Sequence, residues 1–293
     1  MAHSTEWTFT DDRGRVAAAR RTPATVVAYI QAGATLSDHG IQPTGIFGSN
    51  HDGDGPDPAK AGALPLEEID YLGSGDRLGV DSLLRAAPDL VVAVAYGGDQ
   101  VYGLAPEVAK GLEERVPVVV LDVGQGRSLA DVRDRFTELA RSLGAPGSPA
   151  AAGELDRAHL RLRTAAGDAG SARVVALSPA GPDSVHLARP SAWRDLRALA
   201  DRGVGMVEPE AGPGANWSTV DWATAASLRP DIVLTDSRAN ALPVDQLRRI
   251  DGWQEIAARA QHVPWNPEIP CSHIAHALFF ETVADALQAW ASA

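Results

Sequence analysis

Ten residues have types and positions suited to gripping a ligand. Tyr29 and Gln31 follow a short apolar run. Ser49 and His51 open an oxygen-rich stretch, and Tyr96 and Asp99 flank the pair Gly97-Gly98 after a second apolar run. In the second half, His186, Arg189, Trp217 and Arg238 fall in segments read as loops. The chemistry these suggest is recognition. Aromatic faces lie against flat apolar surfaces, while hydroxyl and amide groups reach oxygen atoms. Arg189 is the best candidate for an anionic group, because a guanidinium makes forked bonds to oxygen pairs; a surface salt bridge is its competing reading. Trp217 and Ser237-Arg238 come next. Six of the seven tryptophans lie in the second half, Trp193 and Trp265 among them.

Other chemistries find less support. Residues 49 to 57, Ser-Asn-His-Asp-Gly-Asp-Gly-Pro-Asp, are dense in oxygen ligands and invite a calcium reading. The bidentate Glu of a calcium loop is missing, which favours a polar surface loop. His273 and His276, spaced i and i+3, are compatible with a metal pair, but no third ligand stands at a diagnostic spacing. Cys271, the single cysteine, excludes an intrachain disulfide and any multi-cysteine metal site, and reads as a small buried residue. No Gly-x-Ser-x-Gly, Gly-Lys-Ser/Thr or His-Glu-x-x-His is present, so no catalytic residue is assigned and no cofactor is expected.

The formal charge of −12 over 293 residues, with no run of Lys or Arg longer than a pair, makes nucleic acid a poor partner. No stretch of about 18 apolar residues is present, and the first residues lack a basic segment followed by an apolar one, so the chain as written shows no export signal.

The elements that must position these residues recur. Thr25–Ile30 reads as a strand, Ala32–His39 as a helix and Thr44–Phe47 as a strand. Val80–Ala87 is helical, Pro88-Asp89 stops it, and Leu90–Ala95 is a buried strand; Ala105–Glu114 and Val116–Leu121 follow as helix and strand. The second half repeats the order: strand Arg173–Leu177, helix Ser191–Asp201, strand Gly205–Val207, helix Thr219–Leu228, then Pro230-Asp231 and a strand. The two Pro-Asp strands stand at equivalent places, about 60 residues after each opening strand, which predicts two related α/β units. Ser128–Leu143 and Ala150–Ala166 read as helices. The expected organisation is an α/β lobe over 1–145, a bridging helix over 146–170 and a second α/β lobe over 171–293. The ligand cleft falls between them, lined by loops at strand C-termini.

At this point the sequence resembles a known family. The opening Trp7 to Arg15, then Pro23 and Val26-Val27-Ala28, Gly33 to Leu36, Ile41 to Gly48, and the Val80–Val92 helix and Pro-Asp strand are similar to iron–siderophore and cobalamin binding proteins of ABC importers. Trp217–Leu234 and the Ser272–Trp290 helix extend the likeness over nearly the whole chain.

The resemblance implies two Rossmann-like lobes bridged by one long helix, holding a metal chelate such as a ferric siderophore, and a monomer that hands its ligand to an ABC transporter permease. Asp81 and Glu208 or Glu210 are the acidic residues that would meet permease arginines. Family members carry a signal peptide or lipidated cysteine. Its absence leaves two readings: an extracytoplasmic protein whose leader was removed, or a cytoplasmic chelate-binding or chelate-processing protein. Direct transition-metal binding through His51, His186 or the terminal histidines is a third. The net negative charge favours a neutral or cationic ligand, for example a hydroxamate over a catecholate.

Overall fold

The computed structural model describes residues 6–293, which divide into two compact units. Residues 1–149 and 268–272 form the first, and residues 150–267 and 273–293 form the second. The chain leaves the first unit at the start of the helix Pro149–Ala169.

In the first unit an N-terminal hairpin, β1 (Trp7–Thr10) and β2 (Val16–Ala19), precedes a five-stranded sheet. Its strands are β3 (Val26–Tyr29), β4 (Gly45–Gly48), β5 (Asp70–Ser74), β6 (Leu90–Ala95) and β7 (Val118–Asp122), in the order β5-β4-β3-β6-β7 and all parallel. An all-parallel sheet is covered on both faces, and this is why β6, Leu-Val-Val-Ala-Val-Ala, is an uninterrupted apolar run with every residue buried. Helix Ile30–Asp38 follows β3 and buries its first seven residues. Helix Leu129–Ser142 opens with a capping box in which Ser128 and Asp131 satisfy each other's backbone amides.

The second unit holds β8 (Val174–Pro179), β9 (Val185–Ala188), β10 (Trp217–Val220), β11 (Ile232–Asp236) and β12 (Gln261–Trp265), in the order β10-β9-β8-β11-β12. Strands β8, β11 and β12 are parallel, whereas β9 and β10 run antiparallel. Three expectations change here. Residues 185–188 form a strand where a loop was expected, and 217–220 form the edge strand before a short helix, Trp222–Ser227. The expected strand at 205–207 reduces to one bridge, Met206 to Val174. Four-residue strands at a sheet edge carry too few alternations to show a period of two.

The Pro-Asp repeat has a structural cause. Ala87 and Arg229, each just before the proline, are the two non-glycine residues with positive φ among the described residues, at 45° and 49°. The turn then aims each aspartate at the start of the neighbouring central strand. Asp89 N–H donates to the Thr25 carbonyl at 2.8 Å, and its carboxylate accepts the Ala24 amide at 3.2 Å. Asp231 N–H donates to the Arg173 carbonyl at 2.9 Å and its carboxylate accepts the Arg173 amide at 2.8 Å. In both units the motif fixes the register of the strand beside the centre.

Candidate functional site

Parallel strands of the first sheet end together, so the loops after β3, β4 and β6 open on one edge. The segments after β4, β5 and β6 enclose a cavity of about 460 Å³, walled by Ser49, His51, Asp76, Tyr96, Gln100 and Tyr102 with neighbouring glycines. Tyr102, absent from the sequence-based candidates, is the centre of an aromatic group. It meets Tyr96 edge-on at 4.7 Å and Tyr29 at 5.5 Å, and His51 lies nearly parallel to it at 6.5 Å. Gly97 and Gly98 take positive φ, 85° and 72°, which turns the chain after β6 and leaves Tyr96 half-buried at the wall. A side chain at Gly124 would press on this loop: its Cβ would sit 2.7 Å from the Gly97 nitrogen. Asp99 lies exposed on the same loop, outside the cavity wall.

Under the wall lies a buried ionic network that the sequence did not reveal. Lys60 is fully buried and its ammonium contacts Asp52 at 2.5 Å and Glu268 at 2.9 Å. Lys60 Nζ also lies 3.4 Å from the Tyr29 and Ser49 hydroxyls, and Tyr29 donates to Glu268. Asp52 accepts the Ser49 amide at 2.7 Å. Burial alone would pull the lysine down, but Glu268 and Asp52 offset this and its net shift is upward. Tyr29 is held well above its ordinary range by burial, then by the Glu268 charge. The ammonium is therefore charged and the phenol neutral. Ser49 beside Lys60 has the spacing of a nucleophile and base, but a lysine held protonated by two carboxylates is a poor base.

Tyr29 and Gln31 accordingly lie beneath the site. Both are fully buried, and Gln31 donates its amide to the Ile269 carbonyl at 2.9 Å. The five residues Glu268–Ser272, flanked on both sides by the second unit's residues, belong to the first through these bonds and through Cys271, whose N–H donates to the Thr35 hydroxyl at 2.8 Å. Cys271 is buried, as expected. The oxygen-rich loop is consumed by structure: Asp57 caps helix Pro58–Ala61 and Asp54 pairs with Arg77 at 3.0 Å.

On the second unit, Trp217 is the half-exposed member of a group with Trp193 (5.0 Å) and Trp265 (5.9 Å), and His186 lies 6.1 Å from it. Trp265 donates to the buried Asp195 at 2.5 Å, and burial nevertheless raises that carboxyl. His186 Nδ1 meets the Thr219 hydroxyl at 2.8 Å.

The two arginines are engaged within the fold. Arg189 bonds the carbonyls of Gly214, Pro209, Glu210 and Gly212 at 3.1 to 3.5 Å and so pins the loop before β10. Arg238 pairs with Asp236 at 2.8 Å, and Asp236 also accepts the Ser178 hydroxyl at 2.7 Å. The expected oxyanion-gripping role of Arg189 finds its donors turned to backbone carbonyls. Among the described residues, no three His, Cys, Asp or Glu side chains converge as metal ligands, and no helix is long and apolar enough to cross a membrane.

No protein-family model matches the sequence, and neither does any curated protein. Solved structures do. DesE, a ferric-siderophore receptor from Streptomyces coelicolor, is 25% identical, with 96% of this chain and 98% of that chain covered and a TM-score of 0.86. The siderophore periplasmic binding protein of the fuscachelin gene cluster of Thermobifida fusca is 16% identical over 91% and 97%, with a TM-score of 0.66. The periplasmic haem-binding protein RhuT from Roseiflexus is 17% identical over 91% and 98%, with a TM-score of 0.65. Two α/β units, equivalent Pro-Asp strands and the long connecting helix Pro149–Ala169 thus give this chain the fold of the class III periplasmic binding proteins for ferric siderophores and haem.

Proposed function

We propose that the chain is a solute-binding protein that captures a ferric siderophore or similar metal chelate and delivers it to the permease of an ABC importer. The observation that carries this reading is the cavity at the strand ends of the first unit. Its wall combines the tyrosine pair Tyr96 and Tyr102, His51 and the Gln100 amide. Aromatic faces suit the ligand's carbon framework and the polar groups suit its peripheral oxygens. The likeness to DesE over nearly the full length of both chains supports the same reading. The half-exposed Trp217, backed by Trp193 and Trp265, gives the second unit an aromatic surface for the same kind of ligand.

The working protein is extracytoplasmic and monomeric. Asp81, whose carboxylate is 96% exposed, together with Glu208 and Glu210, are the acidic groups offered to the permease. Isothermal titration calorimetry with ferric and iron-free forms of hydroxamate, catecholate and carboxylate siderophores, haem and bare metal ions tests the reading. Saturable binding of one chelate with one-to-one stoichiometry, and none of bare metal, is the expected result. Binding of bare metal alone would overturn it.

A further inference from the structure

A groove of the first unit lies between two strand edges. Strand β2 pairs only with β1 and β7 only with β6 among the described residues, so each keeps one free side. Where β7 ends, the hairpin turn answers that side. Asp12 N–H donates to the Val120 carbonyl at 3.1 Å, and the Val120 and Asp122 amides donate to the carboxylates of Asp11 and Asp12 at 3.3 and 2.8 Å. Where β7 begins, the edges part. A groove of about 440 Å³ opens there between residues 16–18 and residues 116–118, at the opposite end of the strand from the cavity of Tyr96 and Tyr102.

Both edges turn hydrogen-bonding groups into this groove. The Asp11 amide donates to the Arg15 carbonyl at 2.9 Å. By the alternation of an antiparallel pair, Ala17 then bonds to β1, while Val16 and Ala18 turn their amides and carbonyls outward. The outward amides of Val120 and Asp122 place that of Val118 on the same side of β7. Strand β2, Val-Ala-Ala-Ala, carries no charge, proline or bulge to repel a further strand, and Val16 is 65% exposed. Charge gathers at its ends. Residues 13–21, Arg-Gly-Arg-Val-Ala-Ala-Ala-Arg-Arg, hold four arginines and no acid in a chain of net charge −12. Arg13 is consumed by Asp11 and Glu113, at 2.8 and 2.7 Å. Arg15 meets Glu113 and Arg21 meets Asp89, each with more than half of its side chain exposed, and Arg20 is exposed as well. Glu114 and Arg115 complete the wall with opposite charges.

We propose that the free edge of β2 is a strand-addition site for an extended acidic segment of a partner protein. Main-chain bonds to Val16 and Ala18 on one side and to Val118 on the other hold the segment, and the small side chains of β2 let it approach. The arginines choose its charge. Arg15 and Arg20 stand five residues apart, about 17 Å along a strand, so acidic residues on either side of four extended residues reach both.

The test is an NMR titration of the full chain, reading amide shifts and hydrogen exchange, with a capped peptide of four alternating Val and Thr residues between two glutamates. The peptide is expected to slow exchange of the Val16, Ala18 and Val118 amides. A lysine-flanked peptide is expected to bind about tenfold or more weaker, with the gap closing as salt is raised. Methylating the backbone amides of the glutamate peptide should weaken it by about tenfold or more, because the main-chain bonds are lost. Arg20→Glu, exposed and outside the strand, should weaken it by about threefold or more. Unperturbed Val16, Ala18 and Val118 amides at millimolar peptide, or equal binding by the lysine-flanked or methylated peptide, would overturn the proposal. So would protection of these amides that grows with protein concentration in the absence of peptide, which makes a second copy the occupant. Protection by vesicles of anionic lipid but not by the peptide would overturn it in favour of a membrane surface.

Discussion

The two units share a topology at three strands and diverge at two. Central strand, Pro-Asp strand and outer parallel strand correspond, β3-β6-β7 to β8-β11-β12, but the first unit continues with parallel β4 and β5 and the second with antiparallel β9 and β10. The divergence decides what each offers a ligand. Parallel β4 delivers its following loop to the same edge as the others, and a walled cavity forms there. The antiparallel pair instead brings His186 and Trp217 onto neighbouring strands, with Trp193 and Trp265 packed against Trp217. Ionic groups follow suit. The first unit buries a carboxylate-rich network under its cavity, whereas the second uses its guanidinium groups to hold loops.

The strongest way to break this comparison is to remove the buried cation. Lys60→Met leaves Asp52 and Glu268 without their counterion, and unfolding free energy is expected to fall by about 3–5 kcal/mol in urea denaturation. Adding Asp52→Asn and Glu268→Gln should restore part of the loss; no recovery would mean that packing, not charge, was removed.

The same pair sets an alkaline limit. The folded-state value of Lys60 is raised, so its contribution is fully present below the unfolded lysine value of about 10.4 and is lost as pH rises through the higher folded value. Thermal melts should show an alkaline drop from this group that Lys60→Met lacks.

A smaller effect is expected on the second unit. Arg189→Ala should cost about 2–3 kcal/mol and release residues 209–214, read as lost hydrogen-exchange protection in that loop alone. Arg189→Lys should not rescue it, since an ammonium cannot reproduce the planar fork that spans these carbonyls.

Smaller again, Tyr102→Ala should weaken chelate binding by about 1–1.5 kcal/mol, roughly tenfold, with Tyr102→Phe near wild type if the ring face is what matters. At the bottom of the scale, Arg77→Ala should change stability by less than about 0.5 kcal/mol, because its pair with Asp54 is solvent-exposed.

Much of the frame was legible because it is written locally. Strand β6 reads from its apolar run and the Pro88-Asp89 stop, and its counterpart in the second unit, β11, from the same signature. The connecting helix reads from a long charged segment that follows a Pro-containing break and has no flexible Gly/Ser linker. The hairpin Trp7–Ala19 and strands β9 and β10 are four-residue strands with no period to find. At the site, Ser49, His51 and Tyr96 could be placed on the wall because each lies close to the end of a readable strand. Tyr102 was missed although an aromatic beside a glycine-rich loop at a strand end was a usable signal. Lys60 and Glu268 left no such signal. Their pairing depends on the return of residues 268–272 to the first unit, which is a property of the tertiary structure alone. Arg189 was read as the candidate for an anionic ligand group, but its partners are carbonyls of a loop that comes together only on folding.

The central claim is that a metal chelate occupies the cavity at the strand ends of the first unit. Crystals grown with the tightest-binding ferric chelate, and measured for anomalous scattering at the iron edge, locate the iron directly. The account predicts one iron peak per chain beside Tyr96 and Tyr102, with the chelate against the Ser49–His51 wall. An iron peak away from that cavity, or iron bound directly by histidines with no chelate around it, would contradict it.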